Sequence, residues 1–172
     1  MKKNGFTIIE LIITIAILSF GIIGVYGAFS PMVSLNSAIA SKFTASQLAQ
    51  EGFEVVRNIR DNNFEKIRQG QRLAWSAGLL NCSLGCQLDY KTGTSAQGLE
   101  NALKGYNESD YLKINADGFY GYGQGTATKF RRSVTITQAD SPDILKITVV
   151  VMWSDGSKPV SFETEGYLYN YQ

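Results

Sequence analysis

An apolar run extends from Phe6 to Phe29, and a single charge, Glu10, interrupts it. Lys2 and Lys3 precede the run. Its roughly twenty-four residues, at about 1.5 Å each, are long enough to cross about 30 Å of hydrocarbon as a helix. From Met32 the pattern becomes amphipathic. Met32, Leu35, Ile39, Phe43, Leu48, Phe53, Val56, Ile59 and Ile67 recur mostly at three- and four-residue steps, which gives a helix one apolar face. Glu54–Arg57 and Arg57–Asp61 are spaced for ion pairs on one helical face. One long helix is expected from about Phe6 to about Arg68, its second half laid on a sheet. Gly21, Gly24 and Gly27 weaken its first half, and Ser30-Pro31 is expected to interrupt it, since proline lacks a backbone donor.

The C-terminal part alternates with period two. Phe130, Val134 and Ile136 share one face of a strand, with Thr135 and Thr137 on the other. Leu145, Ile147, Val149, Val151 and Trp153 share one face of the next. Ser154-Asp155-Gly156-Ser157 is a turn signal, and Val160–Tyr171 returns as a third strand. Tyr111–Ile114 and Phe119–Tyr122 are expected to add an edge strand. The fold class is α+β, a long N-terminal helix packed on a C-terminal antiparallel sheet.

Between helix and sheet, residues 69–110 are rich in Gly, Ser, Asn and Thr and are expected to be irregular. Trp75 in that stretch is read as a packing residue. In Asn115-Ala116-Asp117-Gly118 an Asx-type turn is the better reading than a calcium loop, because calcium takes six to eight oxygens and few are offered. Gly118-Phe119-Tyr120-Gly121-Tyr122-Gly123 could stack nucleic-acid bases, but few basic residues interleave with it, so packing or adhesion is favoured. A nucleic-acid partner is therefore left open.

Composition narrows the chemistry. The 172 residues carry a formal net charge of +1, so no strong field points to an acidic partner. There is no histidine, which removes Ser-His-Asp and Cys-His catalysis and the commonest metal ligand. No catalytic residue, metal site or cofactor is assigned, and no enzyme activity is expected. Cys82 and Cys86 are the two cysteines, too few ligands for a structural zinc site without histidine. Outside the cytoplasm they are expected to form a disulfide, with two free thiols as the alternative.

Glu10 carries the most information. A carboxylate inside a membrane-length apolar helix costs on the order of 3 kcal/mol. If the chain is cut after Gly5, Phe6 gains a free amine, and that amine on one copy could neutralise Glu10 on its neighbour. A secretory signal is the bland alternative, but its apolar core is about 7–15 residues. A plain anchor leaves Gly5, Phe6 and Glu10 unexplained.

Gly5-Phe6-Thr7, then Glu10, then a long apolar helix resembles the type IV prepilin signal over about the first thirty residues. Leu48-Ala49-Gln50-Glu51-Gly52-Phe53-Glu54 also looks like the corresponding segment of minor pilins and type II secretion pseudopilins, though less specifically. The resemblance implies a membrane aspartyl prepilin peptidase that cuts between Gly5 and Phe6 and N-methylates Phe6. It also implies other pilin or pseudopilin subunits as partners through the helix, with Phe6 and Glu10 as assembly residues, and an assembly platform in the cytoplasmic membrane.

The organisation expected is a leader at 1–5 and a transmembrane or filament-core helix at 6–30. An amphipathic continuation follows at 31–68, then a variable loop region at 69–110 and the sheet of a globular pilin domain at 111–172. Lys2 and Lys3 predict a single-pass chain with its N-terminus inside before assembly, and an extracellular or envelope-spanning filament afterwards. A minor pilin or pseudopilin is the expected role. A major pilin, and an anchored adhesion or binding domain that never polymerises, are the alternatives.

Overall fold

A computed structural model describes residue 5 and residues 7–93, 103–156 and 158–171. Helix α1 runs Ile8–Arg68. It continues through Ser30-Pro31, contrary to the expected interruption. Proline withholds one amide from the Gly27 carbonyl, and the helix forgoes that bond without ending. It ends in a Schellman turn, where Gly70 N–H donates to the Ile67 carbonyl (2.9 Å) and Gln71 N–H to that of Lys66 (3.0 Å). Gly70 has φ +87°, a conformation that glycine adopts without penalty.

The chain forms two compact units, residues 1–41 and 42–172. In the first, Ile8–Phe29 is a 22-residue span of membrane-crossing length with no residue buried. Two of its hydroxyls bond back into the helix: Thr14 Oγ1 donates to the Glu10 carbonyl (2.6 Å) and Ser19 Oγ to that of Ile15 (2.7 Å). Neither of these needs water as a partner.

Among the described residues the second unit holds eight strands: β1 (Cys86–Gln87), β2 (Lys104–Gly105), β3 (Lys113–Ile114), β4 (Tyr120–Gly121), β5 (Thr126–Ala127), β6 (Arg131–Gln138), β7 (Ile144–Asp155) and β8 (Lys158–Tyr169). Five of them form an antiparallel sheet in the order β2-β1-β6-β7-β8. The other three form a separate sheet in the order β4-β3-β5. Two points differ from expectation. The stretch expected to be irregular supplies β1 and β2 to the main sheet. The short aromatic pieces pair with each other instead of adding an edge strand. Pairs this short carry no periodicity long enough to reveal their partners.

The helix segment Ala45–Phe64 lies on the main sheet. Ala45, Leu48, Ala49, Val56 and Ile59 are buried against Val134, Ile136, Leu145, Ile147, Val149, Val151 and Leu168 in one core. Each large side chain so buried contributes about 1.5–3 kcal/mol. The earlier part of the apolar stripe does not share this. Met32, Leu35, Ile39 and Phe43 are more than half exposed. Small residues make the close approach instead. A Cβ at Gly52 would lie 3.1 Å from Val149 Cγ1 and 3.2 Å from Arg132 Cδ, and one at Gly166 would clash with the edge of the Phe53 ring.

Arg132 is fully buried in this seam. It follows the parity of Phe130, Val134 and Ile136, so β6 points it at the helix. Its guanidinium donates to the Leu48 carbonyl (2.8 Å) and the Leu88 carbonyl (2.6 Å), with the Glu51 carboxylate at 3.5 Å. One cation thus ties α1, β6 and the chain after β1 together. At the far end Tyr171 packs on Phe64 (4.5 Å between centroids) and donates to Asp61 (3.2 Å). Asp61 also pairs with Arg60 (2.7 Å). Arg57 binds Glu54 (2.7 Å) and lies over the Phe53 ring, so the Arg57–Asp61 pair does not form. Trp75 stacks beside Phe64, a packing role.

Cys82 and Cys86, both buried, are joined by a disulfide across a turn that exposes Leu84 and leads into β1. Gly85 completes the turn at φ +94°. A loop this short adds about 2 kcal/mol, at the low end for a crosslink.

Two outcomes follow from this packing. Gly166→Ala should destabilise by about 2 kcal/mol in urea unfolding, because the new methyl overpacks against Phe53. Phe53→Leu in the same chain should recover part of that loss, whereas strictly additive effects would contradict the contact. Tyr122 tests the other side of the seam. Its hydroxyl donates to the Arg132 carbonyl (3.1 Å), and burial pushes its pKa up to about 12. The unfolded phenol ionises near pH 10 while the folded one keeps its proton. Stability is therefore intact below about pH 10 and falls as pH rises towards about 12. Tyr122→Phe should lose about 1 kcal/mol at neutral pH and show a shallower alkaline decline.

Candidate functional site

The chemistry singled out in the sequence lies at the N-terminal end of α1. Gly5 is exposed, with nothing within 4 Å of where a Cβ would stand. Phe6 lies outside the described residues. An accessible backbone is what a peptidase cleft requires of its substrate.

Thr7 and Glu10 form a reciprocal cap. Glu10 N–H donates to Thr7 Oγ1 (3.4 Å), and the Glu10 carboxylate accepts from Thr7 N–H (3.5 Å) and Thr7 Oγ1 (3.4 Å). This is the Thr-x-x-Glu capping box, in which two unsatisfied helix-end donors gain side-chain acceptors. The carboxylate also sits where the helix dipole presents partial positive charge. Sequence reasoning read Glu10 only as a charge in need of a partner. The Thr7–Glu10 spacing was the signal for this second role.

These contacts are at the long end for hydrogen bonds. Among the described residues they leave the carboxylate with spare acceptor capacity, since a carboxylate has about four lone-pair sites and Thr7 supplies two weak donors. Among the described residues, only Thr7 bonds the Glu10 carboxylate. An ammonium group approaching it would make a charge-assisted bond stronger than those already present.

Behind Glu10 the helix surface is mostly apolar, with the exposed Thr14 and Ser19 among the exceptions. Phe20 and Tyr26 are 77% and 78% exposed, and Ile8, Ile9, Ile17 and Ile23 are each more than two-thirds exposed. Among the described residues none buries them. Among the described residues no group of three or more His, Cys, Asp or Glu side chains could hold a metal ion. In the loop weighed for calcium, Asn115 Oδ1 accepts from the N–H groups of Asp117 (3.0 Å) and Phe119 (2.9 Å), an Asx turn.

The minor-pilin-like segment Leu48–Glu54 falls on the seam with the sheet. Leu48 gives its carbonyl to Arg132, Glu51 faces the same guanidinium, Gly52 meets Val149 and Phe53 covers Gly166. Its residues are accounted for by packing. Arg132, the cation at the centre of that seam, was missed in the sequence, although its parity with Val134 and Ile136 placed it on the core face.

Residues 1–26 match the family model described as the prokaryotic N-terminal methylation motif. No curated protein and no solved structure matches the chain. The motif and the apolar helix that follows it fit a type IV pilin-like protein of the prepilin-processed kind. The motif implies a substrate of prepilin peptidase and pilin assembly in membranes, and it points to a structural protein. The apolar helix is consistent with membrane anchoring.

Thr7→Ala removes the cap and should weaken the first turn by about 1 kcal/mol. Amide exchange at Ile8–Leu11 in the micelle-bound full chain should then quicken roughly fivefold. Unchanged exchange would contradict the capping role.

Proposed function

We propose that this chain is a minor pilin or pseudopilin, cut after Gly5 and N-methylated on Phe6, that joins a type IV pilus-like filament through its N-terminal helix. The observation that carries this reading is a 22-residue apolar span in which no residue is buried, headed by Gly5-Phe6 and Glu10.

The proposed sequence has two stages. Before assembly, Ile8–Phe29 lies in the cytoplasmic membrane, where lipid covers the side chains that the chain itself leaves bare. At about 1.5 Å per residue the span is about 33 Å long, a fit to about 30 Å of hydrocarbon. During assembly, parallel copies bundle and protein replaces lipid around the same surface. Glu10 meets the Phe6 ammonium group of a neighbour. In a low-dielectric bundle an unpaired carboxylate is strongly disfavoured, so the axial offset that brings amine and carboxylate together is selected over others. Charge pairing thus sets register, and apolar contact supplies cohesion.

Among subunit types, the match of Leu48–Glu54 to minor pilins and the sizeable segment between helix and main sheet support the minor role. A major pilin is the other reading within the class, and relative abundance in purified filaments separates the two.

Glu10→Leu tests the register role. The variant should reach wild-type levels in the membrane, since leucine is favourable there. Its share in sheared filaments should fall on the order of tenfold, the effect of about 1.4 kcal/mol. Wild-type incorporation of Glu10→Leu would refute the pairing.

A further inference from the structure

A pocket of about 530 Å³ opens between the Asp89–Lys91 turn, the β3–β4 hairpin and the glycine-rich chain that follows β4. This volume lies within the roughly 300–1,000 Å³ usual for small-molecule sites. It is independent of the N-terminal helix, and the proposed assembly makes no use of it.

One exposed ring, Phe119, stands at its wall, backed by Tyr90, whose ring also has Lys91 Nζ over it at 5.5 Å. Tyr90 and Phe119 stack at 5.1 Å between centroids and 26° between planes, and Phe119 is 54% exposed. Asn115 fixes both. Its Nδ2 donates to Tyr90 Oη (3.0 Å), while its Oδ1 accepts from Phe119 N–H (2.9 Å). The turn opposite is tied as firmly: the Asp89 carboxylate accepts from Lys91 N–H (3.0 Å) and Tyr122 N–H (3.1 Å). A pocket held this way is preorganised, so little ordering cost accompanies binding.

The polar groups that face a ligand are of mixed type. Among the described residues, the side chains of Lys113, Asp117 and Gln124 line the pocket without a hydrogen bond to protein. They offer an ammonium donor, a carboxylate acceptor and an amide that does both. The charged lining residues are Lys91, Lys113, Asp89 and Asp117, so the two signs balance. A phosphate-rich ligand gains no net attraction from such a wall, which disfavours a nucleic-acid strand.

We infer that this pocket binds a neutral saccharide. A pyranose has a C–H face of slight positive potential that suits the electron-rich face of an aromatic ring. Its rim of hydroxyls both donates and accepts, and the mixture of Lys113, Asp117 and Gln124 answers that need. The open floor at Gly123, with nothing within 4 Å of where a Cβ would stand, lets the sugar approach backbone.

The test is saturation-transfer NMR on the full chain in lipid nanodiscs, with the methyl glycosides of galactose, mannose and N-acetylglucosamine as probes. Ring C–H protons of at least one glycoside should receive saturation. Phe119→Ala removes the exposed ring, and Gly123→Leu fills the floor at an open position. Each should weaken binding at least about tenfold, with the melting temperature unchanged. Absence of saturation for all three glycosides overturns the proposal, as does equal binding by both folded variants. Binding of a thymidine oligonucleotide that depends on Phe119, without glycoside binding, also overturns it and reassigns the pocket to nucleic acid.

Discussion

The apolar surface of Ile8–Phe29 constrains everything else in this molecule. At about 25 cal/mol per Å² of apolar area, 22 exposed residues of this kind cannot remain in water, and the chain's own core covers none of them. Lipid or other helices must. Without hydrophobic cohesion between helices in a membrane, specificity has to come from shape and from the few polar groups present. Glu10 is the one charged side chain in that span, and its carboxylate is only weakly engaged by Thr7. The helix therefore combines a non-specific demand for cover with one specific electrostatic handle.

The second unit solves a different problem, which is to fasten a helix to a sheet. Small residues do most of it. Gly52 lets α1 approach Val149, and Gly166 admits the Phe53 ring. Arg132 then spans the seam, with two backbone carbonyls from distant parts of the chain as its acceptors. A buried guanidinium is costly where its donors go unfilled, and Arg132 Nε already has no partner among the described residues, so a shift of helix against strand that also broke the two Nη bonds would be penalised further. The disulfide and the Schellman turn close the two ends of the path from α1 to β1.

Long periodic elements were legible in the sequence and short ones were not. The helix from about Phe6 to Arg68 and the three strands around Val134, Val149 and Phe162 follow from period and turn signals that extend over eight residues or more. β1 to β5 are two residues each, and their partners are set by tertiary contact, so Tyr111–Ile114 was assigned to the wrong sheet. Pro31 misled because a local rule was applied to a helix long enough to absorb one lost bond. At the N-terminal site, Glu10 stood out as a buried-type charge, but its partnership with Thr7 did not, because the membrane context drew the reading away from ordinary helix capping. Arg132 was hidden by its chemistry: a cation among apolar neighbours is easily passed over unless strand parity is applied to every residue.

The account stands most directly on where the mature chain begins. Intact mass and N-terminal sequencing of the chain from cells with and without prepilin peptidase would decide it. The account predicts a chain starting at Phe6 and one methyl group heavier only when the peptidase is present, with the segment through Gly5 retained otherwise. A chain that keeps that segment in both would contradict processing and, with it, assembly through a free Phe6 amine.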